Sequence, residues 1–346
     1  MVIRVRNLWI HRKPRILIWI SSLILFILGF QMALRNSSEN NRFIDSVPTI
    51  SNSEQRSMLY DKMGRDLEEK GAVFLEGGET SQSLSLSDMF SLKDGIVTPI
   101  LRVVTAADPP VRANVLYLSP EFAVPISQAV RSIFLPYFDR VGKVDLAFSF
   151  RVVTFVYLSF FLFPYKTAIW FQNSSLYHFS MFHASHHIVD VPASEDEIKA
   201  EANAVKAVAE LLCPLKIVLD RVLLTSTGVL LGCWQVTLGT DPITIRAHLR
   251  NALPRAPEKQ LYDPALLHTS FARILGHSKL SSKEKTKDAN QLKFFQDLVA
   301  RLNNQVRGYE AVVSELWYVE EFDVLALALN GRINARRFYL GCSNTT

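Results

Sequence analysis

Two segments of the chain repeat one pattern of chemistry-bearing residues: LYHFSMF at 176–182 and LLHTSFA at 266–272, each an apolar run interrupted by His-x-Ser. In an extended strand, residues two apart face the same side. His178 and Ser180 therefore project together, and so do His268 and Ser270. Each strand offers one imidazole and one hydroxyl to a single face. An imidazole takes or gives a proton near neutral pH, and a hydroxyl donates a hydrogen bond to an anionic oxygen. Brought together, the four groups suit displacement at a phosphate. A neutral histidine would take a proton from water, a protonated one would give a proton to the leaving oxygen, and the hydroxyls would hold the nonbridging oxygens. This set needs no metal and no cofactor. Burying a histidine beside a serine costs free energy, and doing so twice points to a use for the pair.

Other candidates carry less. A third His-x-Ser, His183-Ala-Ser185, lies in MFHASHH, where the apolar alternation ends, and reads as a loop. His183, His186 and His187 read as a solvated rim, because no carboxylate or cysteine stands at metal-ligand spacing beside them. Tyr262 and Trp234 are candidate stacking surfaces for a base, although aromatics in such strands usually belong to the core. Arg273 is five residues from His268, and strict alternation puts it on the opposite face, away from a phosphate. Walker, Rossmann and Gly-x-Ser-x-Gly patterns are absent.

The elements that must position these residues follow Pro109-Pro110, where apolar strands begin to alternate with amphipathic helices, the order of an α+β domain. Strands are expected at 113–120, 176–182, 216–238 (a pair turning near Thr227-Gly228), 265–275, 312–321 and 322–330. Helices are expected at 121–139, 194–212, 241–252 and 283–308. Ser194 with Glu197 forms a capping box, and Pro242 stands at a first helical position. Val152–Pro164 is thirteen largely apolar residues, too short for a comfortable membrane span and interrupted by Lys166. It reads as a buried insertion within 142–167, with a second membrane segment or translated intron from Gly142-Lys143 as alternatives.

The paired pattern resembles the two-histidine phosphoesterase superfamily, that of RNA 2′-5′ ligase-like proteins and cyclic nucleotide phosphodiesterases. The motif of that superfamily is His-x-Thr/Ser followed by an apolar residue, present twice on strands of a duplicated domain. His178, Ser180 and Met181 match the first copy, and His268, Ser270 and Phe271 the second, with Ser at both positions where Thr is commoner. The resemblance covers about residues 110–340. It implies duplicated ferredoxin-like halves forming a concave bilobal domain, with the motif strands central. It also implies His178 and His268 as catalytic and Ser180 and Ser270 as phosphate-binding, in metal-independent hydrolysis of a cyclic phosphate on a nucleotide or RNA end. A noncatalytic module of the same fold, binding a nucleotide, an RNA end or a protein, is the alternative. A Golgi glycosyltransferase is a third class, but no Asp-x-Asp element is present.

Residues 1–15 carry Arg4, Arg6, Arg12, Lys13 and Arg15 with no acid, and the rest of the chain balances basic against acidic residues. No extended surface for nucleic acid is implied. Residues 16–34 carry no charge for nineteen residues, the length of a membrane span. The basic residues ahead of that span predict a cytosolic N-terminus, a signal anchor and a lumenal chain in the Golgi or endoplasmic reticulum. Residues 35–109 read as a stem with a short helix near 53–70, residues 110–341 as the domain, and 342–346 as a tail. Asn36, Asn173 and Asn344 begin glycosylation sequons. Cys213, Cys233 and Cys342 lack metal spacing and read as buried free thiols, with a Cys213–Cys233 disulfide as the alternative. The topology predicts that a C-terminal tag in sealed microsomes resists protease until detergent is added; digestion without detergent overturns it.

Overall fold

The computed structural model describes residues 50–76, 86–93, 96–101, 108–138, 140–141, 168–276 and 288–342. The basic tail 1–15, the apolar span 16–34, the insertion 142–167 and the sequons at Asn36 and Asn344 lie outside the described residues. Among the described residues no helix is long and apolar enough to cross a membrane.

In chain order the long helices are α1 (Asn52–Lys70), α2 (Pro120–Phe134), α3 (Glu195–Leu211), α4 (Pro242–Ala252) and α5 (Asp288–Val306). The strands are β1 (Phe90–Lys93), β2 (Ile96–Pro99), β3 (Val111–Tyr117), β4 (Arg140–Val141), β5 (Ala168–Phe171) and β6 (His178–Ser185). They continue with β7 (Leu215–Leu224), β8 (Val229–Leu238), β9 (His268–Ile274), β10 (Glu310–Val313), β11 (Glu315–Glu321) and β12 (Ile333–Tyr339).

The mixed α/β body holds two sheets. One has the order β12-β11-β3-β6 and the other β10-β7-β8-β9-β5-β4, while β1 and β2 form a separate hairpin. All described pairings are antiparallel except β4 with β5. Helices α3 and α4 lie on the four-stranded sheet, and α2 and α5 on the six-stranded one. β3 and β11 are buried along nearly their whole length, β3 with Arg112 and Asn114 among its buried residues and β11 with Glu320 and Glu321. The capping box forms as the sequence requires: the Ser194 side chain accepts from the Glu197 N–H, and the Glu197 carboxylate accepts from the Ser194 N–H. Asp241 caps α4 ahead of Pro242, and Gly228, at φ 84°, closes the β7–β8 turn in a conformation that suits glycine.

Several expectations need correction. The motif strands do not pair with each other in one concave sheet; β6 is an edge strand of one sheet and β9 lies inside the other. The sheets do not divide at one point of the sequence either, since the chain alternates between them. The stretch 322–330 is not a strand but contains a one-turn helix, Ala326–Leu329, and the closing strand is β12. The helix expected within a stem is packed on the domain: the Tyr60 hydroxyl lies 2.7 Å from both the Trp234 and Leu267 carbonyl oxygens, and Arg56 pairs with Asp241 at 2.6 Å. Cys213 is bonded to Cys342, 129 residues away, while Cys233 is free and buried. The proximity of the α3 end to the chain end, invisible in sequence, selects that pair.

One buried guanidinium joins the two motif strands. Arg246 of α4 donates to the Met181 and Ser180 carbonyls of β6, both at 2.9 Å, and to the Leu266 and Pro264 carbonyls just before β9, at 2.7 and 2.5 Å. Burial pulls its pKa to about 10, so it stays charged at neutral pH. Removing it strands buried carbonyls without donors, each costing free energy. Arg246→Met is expected to lower unfolding stability by about 3 kcal/mol, read by urea titration, with Arg246→Lys recovering only part. A loss too small to resolve would show the clamp to be dispensable.

Candidate active site

The site begins with an irregularity repeated in both motifs. In the β3–β6 pairing Asn114 and Val115 oppose Phe182 and Ser180, leaving Met181 as an extra residue. In the β8–β9 pairing Leu230 and Leu231 oppose Ala272 and Ser270, leaving Phe271 extra. Each β-bulge thus falls on the residue after the motif serine. A bulge resets the alternation of the strand, so the residue five beyond each histidine returns to the histidine's face. That residue is His183 on β6 and Arg273 on β9.

His178, Ser180, His183, His268 and Ser270 line one cavity of about 80 Å³, together with Tyr262 and Glu321. All four residues of the two motifs are brought together, although their strands belong to different sheets. Arg273 lines the adjoining space beside His268 and Ser270, and its Nη1 is buried with no hydrogen-bond partner. Arg273 would sit on the far face only under unbroken alternation, which the bulge at Phe271 removes. The reading of His183 as a loop residue fails for a related reason: β6 continues to Ser185, and His183 and His186 are buried rather than solvated.

The imidazoles differ in their partners. His178 Nδ1 lies 2.8 Å from the Leu176 carbonyl oxygen, so Nδ1 carries the proton and Nε2 presents a lone pair. Among the described residues His268 has no hydrogen-bond partner, and Tyr262 meets it edge-on with ring centroids 5.1 Å apart. His186 is fully committed: Nδ1 accepts from the Val189 N–H at 3.1 Å and Nε2–H donates to the Lys259 carbonyl at 3.1 Å. His187 Nε2 is buried and unpartnered. Among the described residues no three His, Cys, Asp or Glu side chains are grouped to hold a metal. Trp234 is fully buried core, whereas Tyr262 lines the cavity. The Asn173 side-chain oxygen accepts from the Ser175 N–H at 3.0 Å, so that sequon asparagine caps a short turn.

Burial dominates the electrostatics. Desolvation lowers the His178 pKa, and it pushes His268 down to about 3, helped by the charges of Arg246 and His178. His183 falls to about 3 through desolvation and then its neighbours His186, His187, His178 and Arg246. Desolvation raises Glu321 to about 7 against hydrogen bonds from the Leu327 and Ala326 N–H groups. Arg273, lowered by burial to about 10, remains a cation. At neutral pH the cavity therefore presents neutral imidazoles, with the Arg273 cation on the wall of the adjoining space. An entering anion would raise the imidazole pKa values and supply the missing acid. Sequence reasoning missed Glu321, whose signal was an acidic pair closing the apolar run of β11.

No family model and no curated protein matches the chain. Among solved structures it is similar to TT0787 of Thermus thermophilus, at 11% identity and TM-score 0.38 over 66% of this chain and 97% of that one. It is also similar to E. coli LigT complexed with 3′-AMP, at 12% identity and TM-score 0.34 over 67% and 98%. A third likeness is to a phosphoesterase, at 11% identity and TM-score 0.34 over 67% and 99%. Likenesses of this strength carry no weight for the site, which stands on the residues above.

Because the cavity imidazoles are neutral, phosphate binding at pH 7 is expected to take up protons. Calorimetry of inorganic phosphate in buffers of different ionisation enthalpy reads the number directly. Binding without proton uptake, or with release, would contradict the lowered imidazole pKa values.

Proposed function

We propose that the chain is a metal-independent phosphodiesterase acting on a cyclic phosphate of a nucleotide or RNA end. The observation that supports it most is the convergence of two imidazoles and two hydroxyls, from strands of separate sheets, on one cavity. In this reading His178 Nε2 takes a proton from water as the water oxygen attacks phosphorus. The bond from phosphorus to one ribose oxygen breaks, and His268, protonated in the complex, gives that oxygen its proton. Ser180 and Ser270 donate to the nonbridging oxygens, and Arg273 offsets the charge that develops on them. His178 takes the base role because its Nδ1–H is held by Leu176, leaving Nε2 as acceptor.

The proposal extends to location. The chain is a single-pass protein with the site on the lumenal side of an endomembrane, held by residues 16–34. The Cys213–Cys342 bond supports that placement, because disulfides persist in oxidising compartments. Closing a loop of 129 residues stabilises the fold there by about 5 kcal/mol in the chain-entropy account.

His178→Ala or His268→Ala is expected to lower kcat/KM on 2′,3′-cyclic nucleotides by about 100-fold or more. The double variant should be little worse than either single, because a lone acid or base cannot complete the transfer. Ser180→Ala and Ser270→Ala should each cost less. The rate should follow a bell-shaped pH dependence and be unchanged by chelators. Full turnover by either histidine variant would refute the assignment, and binding without turnover in the wild type would leave the noncatalytic module.

A further inference from the structure

We infer that a second chamber, continuous with the histidine cavity, receives the heterocyclic base of the substrate, and that Met63, Met89 and Phe90 of the N-terminal segment form its outer wall. The inference rests on the phosphodiesterase reading for the phosphate and deepens it to a substrate class, a base-bearing nucleotide rather than a bare sugar phosphate.

The chamber encloses about 410 Å³ and shares His268, Ser270, Tyr262 and Gln172 with the smaller cavity of about 80 Å³. A space of that size is typical of small-molecule sites. It includes His268 and Ser270 in its lining and is roomy enough for a nucleoside base. The lining is chemically ordered. Arg273, whose Nη1 has no hydrogen-bond partner, stands on the wall of the larger chamber, opposite Trp170 in the β5–β9 pairing. Beyond it the wall turns apolar and polarisable, with the thioethers of Met63 and Met89 and the rings of Phe90 and Trp170. The Trp170 indole N–H is already given to the Ala328 carbonyl at 3.3 Å, so the ring offers apolar surface. Thioethers and rings favour an aromatic guest.

At the far end Lys70 pairs with Asp66 at 2.6 Å, and Ser226 Oγ donates to the same carboxylate at 2.5 Å. Those charges neutralise each other. A ligand matching this order carries its negative charge at the junction and a flat neutral group beyond it, with hydrogen-bonding atoms facing Thr225 and Thr227. A nucleotide has that order. The Met63 side of the wall is fixed in place, because α1 is held by Arg56 on Asp241 and by Tyr60 on the backbone on either side of the β8–β9 pair.

The test uses the full chain with two substrates, adenosine 2′,3′-cyclic phosphate and methyl riboside 2′,3′-cyclic phosphate, which lacks the base. Met63→Trp fills the chamber from α1 and is expected to lower the ratio of their kcat/KM values, base-bearing over base-free, by about ten-fold. An unchanged ratio overturns the inference. Inhibition by inorganic phosphate, retained in the variant, reports an intact phosphate site; if it is lost, Met63→Gln, which adds polarity without bulk, is read the same way. If the wild type hydrolyses neither compound, the phosphodiesterase reading fails while the chamber is still tested. Calorimetric affinity for adenosine 3′-monophosphate should then weaken about ten-fold in the variant, and equal affinities overturn the chamber.

Discussion

The two motif histidines stand in different sheets, and no backbone ladder joins them, so their alignment depends on what bridges β6 and the entrance to β9. Arg246 is that bridge. Its planar fork reaches the Ser180 and Met181 carbonyls on one side and the Pro264 and Leu266 carbonyls on the other. The requirement arises locally: the bulge at Met181 removes β6 carbonyls from regular pairing, and a buried carbonyl needs a donor. A lysine, with one point charge and tetrahedral donors, would not span four carbonyls in two directions. Asn114 completes the repair by donating to the Phe182 carbonyl at 3.1 Å. The same interaction that compensates an irregular strand thus sets the distance between the two halves of the site.

The bulges also explain what the sequence made legible. His178, Ser180, His268 and Ser270 lie within single motifs, where alternation holds, and their common facing could be read from spacing alone. The α3 capping box and the Asp241-Pro242 helix start were legible for a similar reason, since those signals act within four residues. Arg273 and His183 lie just past each motif. Their facing depends on one extra residue in the strand, and that residue is defined only by the partner strand. The disulfide partner of Cys213 and the packing of α1 were hidden by the same kind of dependence. Both are decided by elements more than a hundred residues away. The lack of a ladder between β6 and β9 was hidden too, because two strands with the same pattern carry no mark of which sheet each will join.

The N-terminal helix shows how a local signal misleads about context. Its helical period and polar surface suited a solvated stem, and three of its residues decide otherwise: Arg56, Tyr60 and Leu67 are buried. Tyr60 sits against Leu223, Leu231, Cys233 and Leu266, a small core separate from the main one. Burial pushes both the Tyr60 hydroxyl and the Cys233 thiol upward in pKa. They stay neutral and act only as packing and hydrogen-bonding groups. The helix is thereby a structural part of the β8–β9 region that carries His268.

Desolvation joins these constraints to chemistry. A cavity dry enough to strengthen hydrogen bonds to a phosphate is also one that disfavours imidazolium, so His268 and His183 are driven far below neutrality. The protein alone then lacks the acid that the reaction requires. Arg273 does not solve this, because a cation does not favour a second cation, and the Arg246 guanidinium already lowers His268 and His183. Arg273 does attract the anion that can solve it. With a phosphate seated against Arg273, the cation is compensated and the imidazole beside it faces negative charge, which favours the protonated form. The acid is assembled by substrate binding. His178 keeps the base role, because Leu176 fixes its Nδ1 proton and leaves Nε2 free. The asymmetry between two motifs that share His-x-Ser therefore comes from one backbone carbonyl beside His178, a partner that His268 lacks among the described residues.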